Sequence, residues 1–140
     1  MKTVLIAGLS VLLAGAAQTP PSPQFGESCR GSETIRIGTA PPRTVPYKLD
    51  FSADLALGAY CYGQCLPSQT YRIADPASHP LKLADRDLAG QVRHIAFDRA
   101  TGRITDYQVF DSPLGRIERN AGGTCKAAPF HPVAHGEGVM

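Results

Sequence analysis

The chain has 140 residues, with 14 Lys and Arg against 12 Asp and Glu, four Cys and no Trp. Its opposite charges are interspersed, which argues against a nucleic-acid-binding protein, because such proteins usually concentrate basic residues on one face. The length suits a single domain and is too short for two.

The first 17 residues have the pattern of a secretory signal peptide. Lys2 precedes an apolar run from Val4 to Leu13, and small residues follow up to Ala17, as in the three parts of such a signal. A retained membrane helix needs about 20 apolar residues, more than this run contains. We therefore expect cleavage after Ala17 or Ala16, export to the periplasm or the extracellular space, and no membrane span after cleavage.

Residues 18–28 include three prolines and are predicted to be an extended spacer. Residues 34–37 and 45–51 alternate in polarity and are predicted strands. Residues 52–57 either begin a short helix or continue as a strand into residues 59–62. We favour the strand, because Gly58 and Gly63 would break a helix. Residues 69–74 and 81–83 are further predicted strands, and residues 85–90 a polar loop.

The clearest pattern lies between residues 92 and 125, which read as three antiparallel strands with two turns. In the first strand Ile95 and Phe97 share one side of the pleat. Residues 98–102 begin with Asp98 and end with Gly102, which favours a tight turn. Residues 111–115, with a Pro and a Gly, favour a second one.

The return strand, residues 104–110, divides its side chains between two faces. Thr105, Tyr107 and Val109 share one face, which the β preference of these residues predicts to be the packed one. Asp106 and Gln108 are on the other face.

These patterns predict a mainly β protein: a single antiparallel β-meander, curled into a small sandwich or a partly open barrel and stapled by disulfides. The domain is expected to cover residues 29–128. Residues 129–140 are predicted to be a flexible C-terminal tail.

The four cysteines, Cys29, Cys61, Cys65 and Cys125, form an even set in an exported chain and predict two disulfides with three possible pairings. We favour Cys29 with Cys125 and Cys61 with Cys65. The second bridge requires a turn, because two cysteines four residues apart in one straight strand lie too far apart to join.

The sequence contains three arrangements of reactive residues, and each has a simpler structural explanation. Cys61 and Cys65 have three residues between them rather than the two of a redox motif. His131 and His135 could complete a zinc set with these cysteines, but only if the thiols were free. His94 could serve a small hydrolase with a carboxylate, yet no nucleophile motif accompanies it. We therefore predict no catalytic set, no metal site and no cofactor.

Five arginines, at positions 93, 99, 103, 116 and 119, are predicted to form a solvated strand face; a weakly basic surface for an anionic glycan or lipid headgroup is the alternative.

The function expected is non-enzymatic: binding or inhibition of an envelope or extracellular macromolecule. Tyr60, Tyr62 and Gln64, around a disulfide loop, are the candidate binding residues, since an aromatic anchor held by a disulfide loses little entropy on binding. A secreted hydrolase and a redox or metal-handling protein remain the alternatives.

Overall fold

The computed structural model describes residues 21–134, which form one antiparallel sheet of eight strands. The strands are β1 (Gln24–Ile37), β2 (Arg43–Asp54), β3 (Ala59–Tyr62), β4 (Thr70–Arg72), β5 (Leu81–Leu88), β6 (Gln91–Asp98), β7 (Arg103–Ser112) and β8 (Gly115–Ala128). Their order across the sheet is β4-β3-β2-β1-β8-β7-β6-β5. The predicted antiparallel, disulfide-stapled β fold is confirmed. No helical segment within residues 21–134 has the length and apolarity needed to cross a membrane.

The sheet curls until its two edge strands, β4 and β5, come together, so that it is nearly closed into a barrel. The two edges are joined just after β4 ends. There the Ala74 N–H donates to the Leu83 carbonyl and the Asp75 N–H to the Lys82 carbonyl, both at 3.1 Å. We call the region between β4 and the part of β5 that follows Leu83 the seam.

One end of the barrel interior is apolar. Phe51 packs edge-on against both Phe25 and Phe97, with ring centroids 6.1 and 5.4 Å apart. The Cys29–Cys125 disulfide joins β1 to β8 and belongs to the same cluster. Burial of these rings from water is the main source of stability in this half of the barrel.

The turn between β6 and β7 forms as its sequence predicts. The Asp98 carboxylate accepts a hydrogen bond from the Ala100 N–H at 2.9 Å, and the Gly102 N–H donates to the Asp98 carbonyl at 2.8 Å. Gly102 has a φ of +72°, in the left-handed region that glycine adopts without steric cost.

Several boundaries differ from those expected. β1 begins at Gln24, inside the range predicted to be spacer. β5 continues to Leu88, through the predicted polar loop. β2 ends at Asp54, whose carboxylate accepts a hydrogen bond from the Leu57 N–H in a turn before β3. Residues 52–54 are therefore strand, as favoured, but they end β2, and residues 55–58 form a turn instead of continuing the strand into β3.

The C-terminal segment packs on the outside of the barrel as far as it is described. Val133 is buried, and Phe130 packs with it against Cys61 and Cys65. The predicted signal peptide, the first residues of the predicted spacer, His135 and the rest of the predicted tail lie outside the described residues.

The prediction for the two faces of β7 was wrong for Asp106 and Thr105, although Val109 is buried as expected. Asp106 lies opposite Ile95 and Ile104 opposite Phe97, and residues opposite each other in a sheet point to the same face. Asp106 is therefore inside the barrel and buried, whereas Thr105 is exposed. The packing of Ile104, Ile95 and Phe97 outweighs the β preference of the other face.

Candidate functional site

A cavity of about 420 Å³ opens at the seam. Its volume lies within the range typical of ligand sites, and the mouth of a barrel is a common position for one. We call it the seam cavity. Its lining includes three tyrosines, Tyr60, Tyr62 and Tyr71, and three arginines, Arg72, Arg86 and Arg93.

The three tyrosines form one cluster, with ring centroids 5.4 to 5.6 Å apart. They share a face because Tyr60 on β3 lies opposite Tyr71 on β4, and Tyr62 follows two residues later on β3. The hydroxyl oxygens of Tyr60 and Tyr62 are 3.3 Å apart. Burial raises the pKa of both phenols above its usual value, so both remain neutral hydroxyls.

Arg93 lies beside the tyrosine cluster and forms an ion pair with Asp106, in which the carboxylate side chain is 9% exposed and the arginine side chain 27%. Its Nε donates to Oδ1 at 3.0 Å and its Nη2 to Oδ2 at 2.9 Å, a two-point geometry that fixes the guanidinium plane. The Tyr47 hydroxyl also donates to Asp106 Oδ2, at 3.0 Å. Burial by itself would lower the pKa of Arg93, but the charge and hydrogen bonds of Asp106 together with the neighbouring Tyr62 and Tyr60 outweigh it, and the pKa is raised.

A second ion pair lies next to this one. Arg119 on β8 donates through Nε to Glu33 Oε1 at 2.6 Å and through Nη1 to Gln108 Oε1 at 3.2 Å. Gln108 lines the seam cavity and lies opposite Arg93 across β6 and β7. Arg93 and Arg119 thus point into the mouth of the barrel, with side chains 27% and 37% exposed, and the prediction that they belong to a solvated outer face was wrong for these two arginines.

The outer part of the cavity carries an excess of positive charge. Arg72 and Arg86 are exposed, and neither forms a salt bridge or side-chain hydrogen bond with any residue from 21 to 134. Asp85, the carboxylate at this rim, already contacts His94 and Lys82. Two guanidinium groups are therefore available to an incoming anion.

The structure does not bring the predicted binding residues Tyr60, Tyr62 and Gln64 into one site. The two tyrosines point into the barrel, because Cys61 between them takes the outward position opposite Ser52. Gln64 instead lines a separate groove of about 360 Å³ on the outer surface, beside Asp50 and His131. The disulfide loop therefore does not present the tyrosines outward, and their binding role remains a prediction.

Both favoured disulfides are present, and the structure describes no free cysteine. β3 ends at Tyr62 and the chain turns at Gly63, which brings Cys65 back to Cys61. Cysteines in a disulfide cannot supply thiolates to the zinc set considered above. Within residues 21–134 no three metal-binding side chains cluster, and the His131 N–H donates to the Ser52 hydroxyl.

His94 has a carboxylate partner, but it is not one of those adjacent in sequence. Its Nδ1 lies 2.8 Å from Asp85 Oδ1, on the exposed face of β5 and β6, and its ring stacks on Tyr107. No hydroxyl or thiol of the described residues hydrogen-bonds to this histidine.

The sequence interpretation missed most of the seam cavity. One signal was available: Arg93 has the same parity as Ile95 and Phe97 along β6 and therefore shares their inward face. The placement of Arg72 and Arg86 on opposite sides of one opening had no local signal, because it depends on how the two edges of the sheet meet.

The chain matches no protein-family model, no curated protein and no solved structure at a level that would indicate common ancestry.

Proposed function

We propose that this is an exported, non-enzymatic binding protein whose ligand site is the seam cavity, and that its partner is an envelope or extracellular macromolecule. One observation carries the proposal. The strands pair along the whole sheet but part at the seam, and that opening is lined by an aromatic cluster and three guanidinium groups. Aromatic side chains and arginines are the residues that most often dominate binding energy.

The hydrogen bonds among Arg93, Asp106 and Tyr47 support a rigid site. Arg93 is held by Asp106, and Asp106 is in turn held by Tyr47. Side chains that are already ordered lose little entropy when a partner binds, so more of the contact energy becomes affinity.

Two disulfides indicate an oxidising, non-cytoplasmic compartment. Together with the predicted signal peptide, they support a partner in the periplasm or outside the cell. The redox alternative has less support, because Cys61 and Cys65 are buried beneath Phe130 and Val133, and thiol–disulfide exchange requires access to a sulfur atom.

The hydrolase alternative has less support as well. His94 lies on the outer face and contacts Asp85 at the rim, whereas the tyrosines line the interior of the cavity. A His–carboxylate contact at a surface is an ordinary cross-strand interaction.

The proposal can be tested by photo-crosslinking in cells that export the protein. The photoreactive residue p-benzoylphenylalanine is introduced in place of Leu88, which is exposed at the end of β5. The matched control carries it in place of Thr124, an exposed residue on β8, across the barrel from the seam.

Irradiation is expected to give a covalent adduct of defined mass from position 88 and none from position 124. Failure of position 88 to form an adduct, or equal adducts from both positions, would contradict a binding site at the seam.

A further inference from the structure

We infer that the occupant of the seam is an extended, acidic peptide segment of a partner protein, added as a strand to the free edge of β5. This inference rests on the proposed function, because it names the partner for the same cavity. It combines an unpaired main-chain edge with an uncompensated positive charge at that edge.

The edge of β5 is paired only at its beginning. The outer edge receives main-chain hydrogen bonds at Lys82 and Leu83, while residues 84–88 pair with β6 alone among the described residues. Unpaired N–H and C=O groups along a strand are a template for another strand, and strand addition is a recurring way of binding extended peptides.

A bulge between Lys82 and Ala84 lies where the two edges part. Bulges increase the local twist of a strand. The position of this bulge is consistent with β5 staying bonded at Leu83 to the residues that follow β4 and diverging afterwards, which leaves its second half beside the cavity.

The charges at this edge favour an acidic segment. Arg86 lies directly opposite Arg93, and like charges at opposite positions destabilise a sheet. Asp106 compensates Arg93, but Arg86 has no carboxylate partner among residues 21–134, and neither has Arg72 on the other side of the seam. A peptide carboxylate on the inward face of the added strand would form charge-assisted hydrogen bonds with Arg86, which are stronger than neutral ones, whereas Arg72 lies opposite Ala59 and therefore on the outer face of β4.

Alternation of side chains predicts a pattern for the bound segment. Residues facing the barrel would contact Arg86 and the tyrosine cluster and would be acidic or apolar. Residues facing outward would lie beside Asp85 and Asp87, which share the outer face of β5 and outnumber Arg72 on the outer face of β4, and would be basic or neutral. This alternation distinguishes a paired strand from a flexible acidic tail, whose charges need no such period.

The test selects binders from a random library of 12-residue peptides, using the mature, disulfide-bonded protein. Enriched peptides are expected to alternate an acidic residue with basic or neutral ones. A representative peptide is then synthesised in two forms, N-methylated at one or the other alternate set of amides. In a paired strand only alternate N–H groups face the neighbouring strand, so one form should lose binding and the other retain it.

Arg86→Glu is expected to weaken binding at least about tenfold, equivalent to 1.4 kcal/mol, and Arg86→Lys to weaken it less. Arg103→Glu is the matched control: Arg103 is exposed on β7, away from the seam, and its replacement should leave affinity unchanged. Urea unfolding of each variant checks that the fold is intact.

Several outcomes would overturn the inference: enrichment of peptides without acidic residues, equal loss from both methylated forms, equal binding by Arg86→Glu, or no enrichment. An adduct from position 88 together with any of these would leave the binding function standing and exclude an acidic added strand as the occupant; equal loss from both methylated forms would exclude strand addition itself. No adduct from position 88 would instead contradict the proposed function itself.

Discussion

The two ends of the barrel interior are built on the same strands and the same alternation, yet they differ in chemistry. Along β6 the inward residues pass from Phe97 through Ile95 to Arg93, and along β7 from Ile104 through Asp106 to Gln108. The first end is closed over three phenylalanine rings, and the second opens at the seam. The comparison indicates that one end supplies stability and the other is available for binding.

At the polar end the side chains have hydrogen-bond partners, although Glu33 and Asp106 are buried. No buried side-chain nitrogen or oxygen of residues 21–134 lacks a hydrogen-bond partner. An unpaired buried polar group costs about 1–3 kcal/mol, so this end is held in one arrangement by the need to keep its partners. The apolar end is held by packing instead, because dispersion and burial have no such directional requirement.

The largest loss of stability is expected from a substitution at the apolar end. Phe97 is 1% exposed and contacts Phe25 and Phe51. Phe97→Ala should lower the free energy of unfolding by about 3–5 kcal/mol, because burial is lost and a cavity remains. Urea unfolding measures this change. Leu114→Ala, at a residue 76% exposed, is the control and should change it by less than about 0.5 kcal/mol. Similar values for both variants would contradict this assignment of the core.

An intermediate effect is expected at the polar end. Asp106→Ala should cost about 2–3 kcal/mol, because Arg93 and Tyr47 lose their partner in a mostly buried position. Asp111→Ala, on the same strand, should cost less than about 0.5 kcal/mol, because its ion pair with Arg116 is exposed.

The double variant Arg93→Met with Asp106→Leu removes both charges and should be more stable than Asp106→Ala alone. A double variant that is no more stable would show that the charge left behind does not explain the loss. The comparison would then rest on packing at both ends.

The smallest loss of stability is expected from ionisation of the buried tyrosines at high pH. Burial raises the pKa of Tyr60, and burial together with the Asp106 charge raises that of Tyr47, whereas an unfolded tyrosine ionises near pH 10. The folded state therefore binds more protons above that pH. The contribution of these tyrosines to the free energy of unfolding is fully present below about pH 10 and decreases as the pH rises further.

At pH 10.5 each of these two tyrosines should reduce the free energy of unfolding by about 0.8 kcal/mol. Urea unfolding at pH 8 and pH 10.5 gives the change, and Tyr60→Phe should lose about 0.8 kcal/mol less than the native chain between the two values. An equal loss in both proteins would contradict the burial of Tyr60 in a neutral state.

Several features were predictable because they depend on neighbours in sequence. Asp98 and Gly102 form the expected turn, since an Asx turn needs only residues two or three positions apart. Ile95 and Phe97 share the buried face, as period-2 alternation requires. The inward position of Asp106 was not predicted, because it depends on the register of β7 with β6 and on an arginine 13 residues away.

By itself, the sequence determined the class of the fold, the alternation within the central strands, the β6–β7 turn and the favoured pairing of the cysteines. These follow from local preferences and from the few ways in which four cysteines can pair. Only the tertiary structure decided which face of β7 is inside, that Tyr60 and Tyr62 line a cavity while Gln64 does not, and that Arg72 and Arg86 flank one seam. The physical reason is that these positions depend on how the eight strands curl and on how far the two edges of the sheet stay hydrogen-bonded to each other. No local stretch of the chain specifies either.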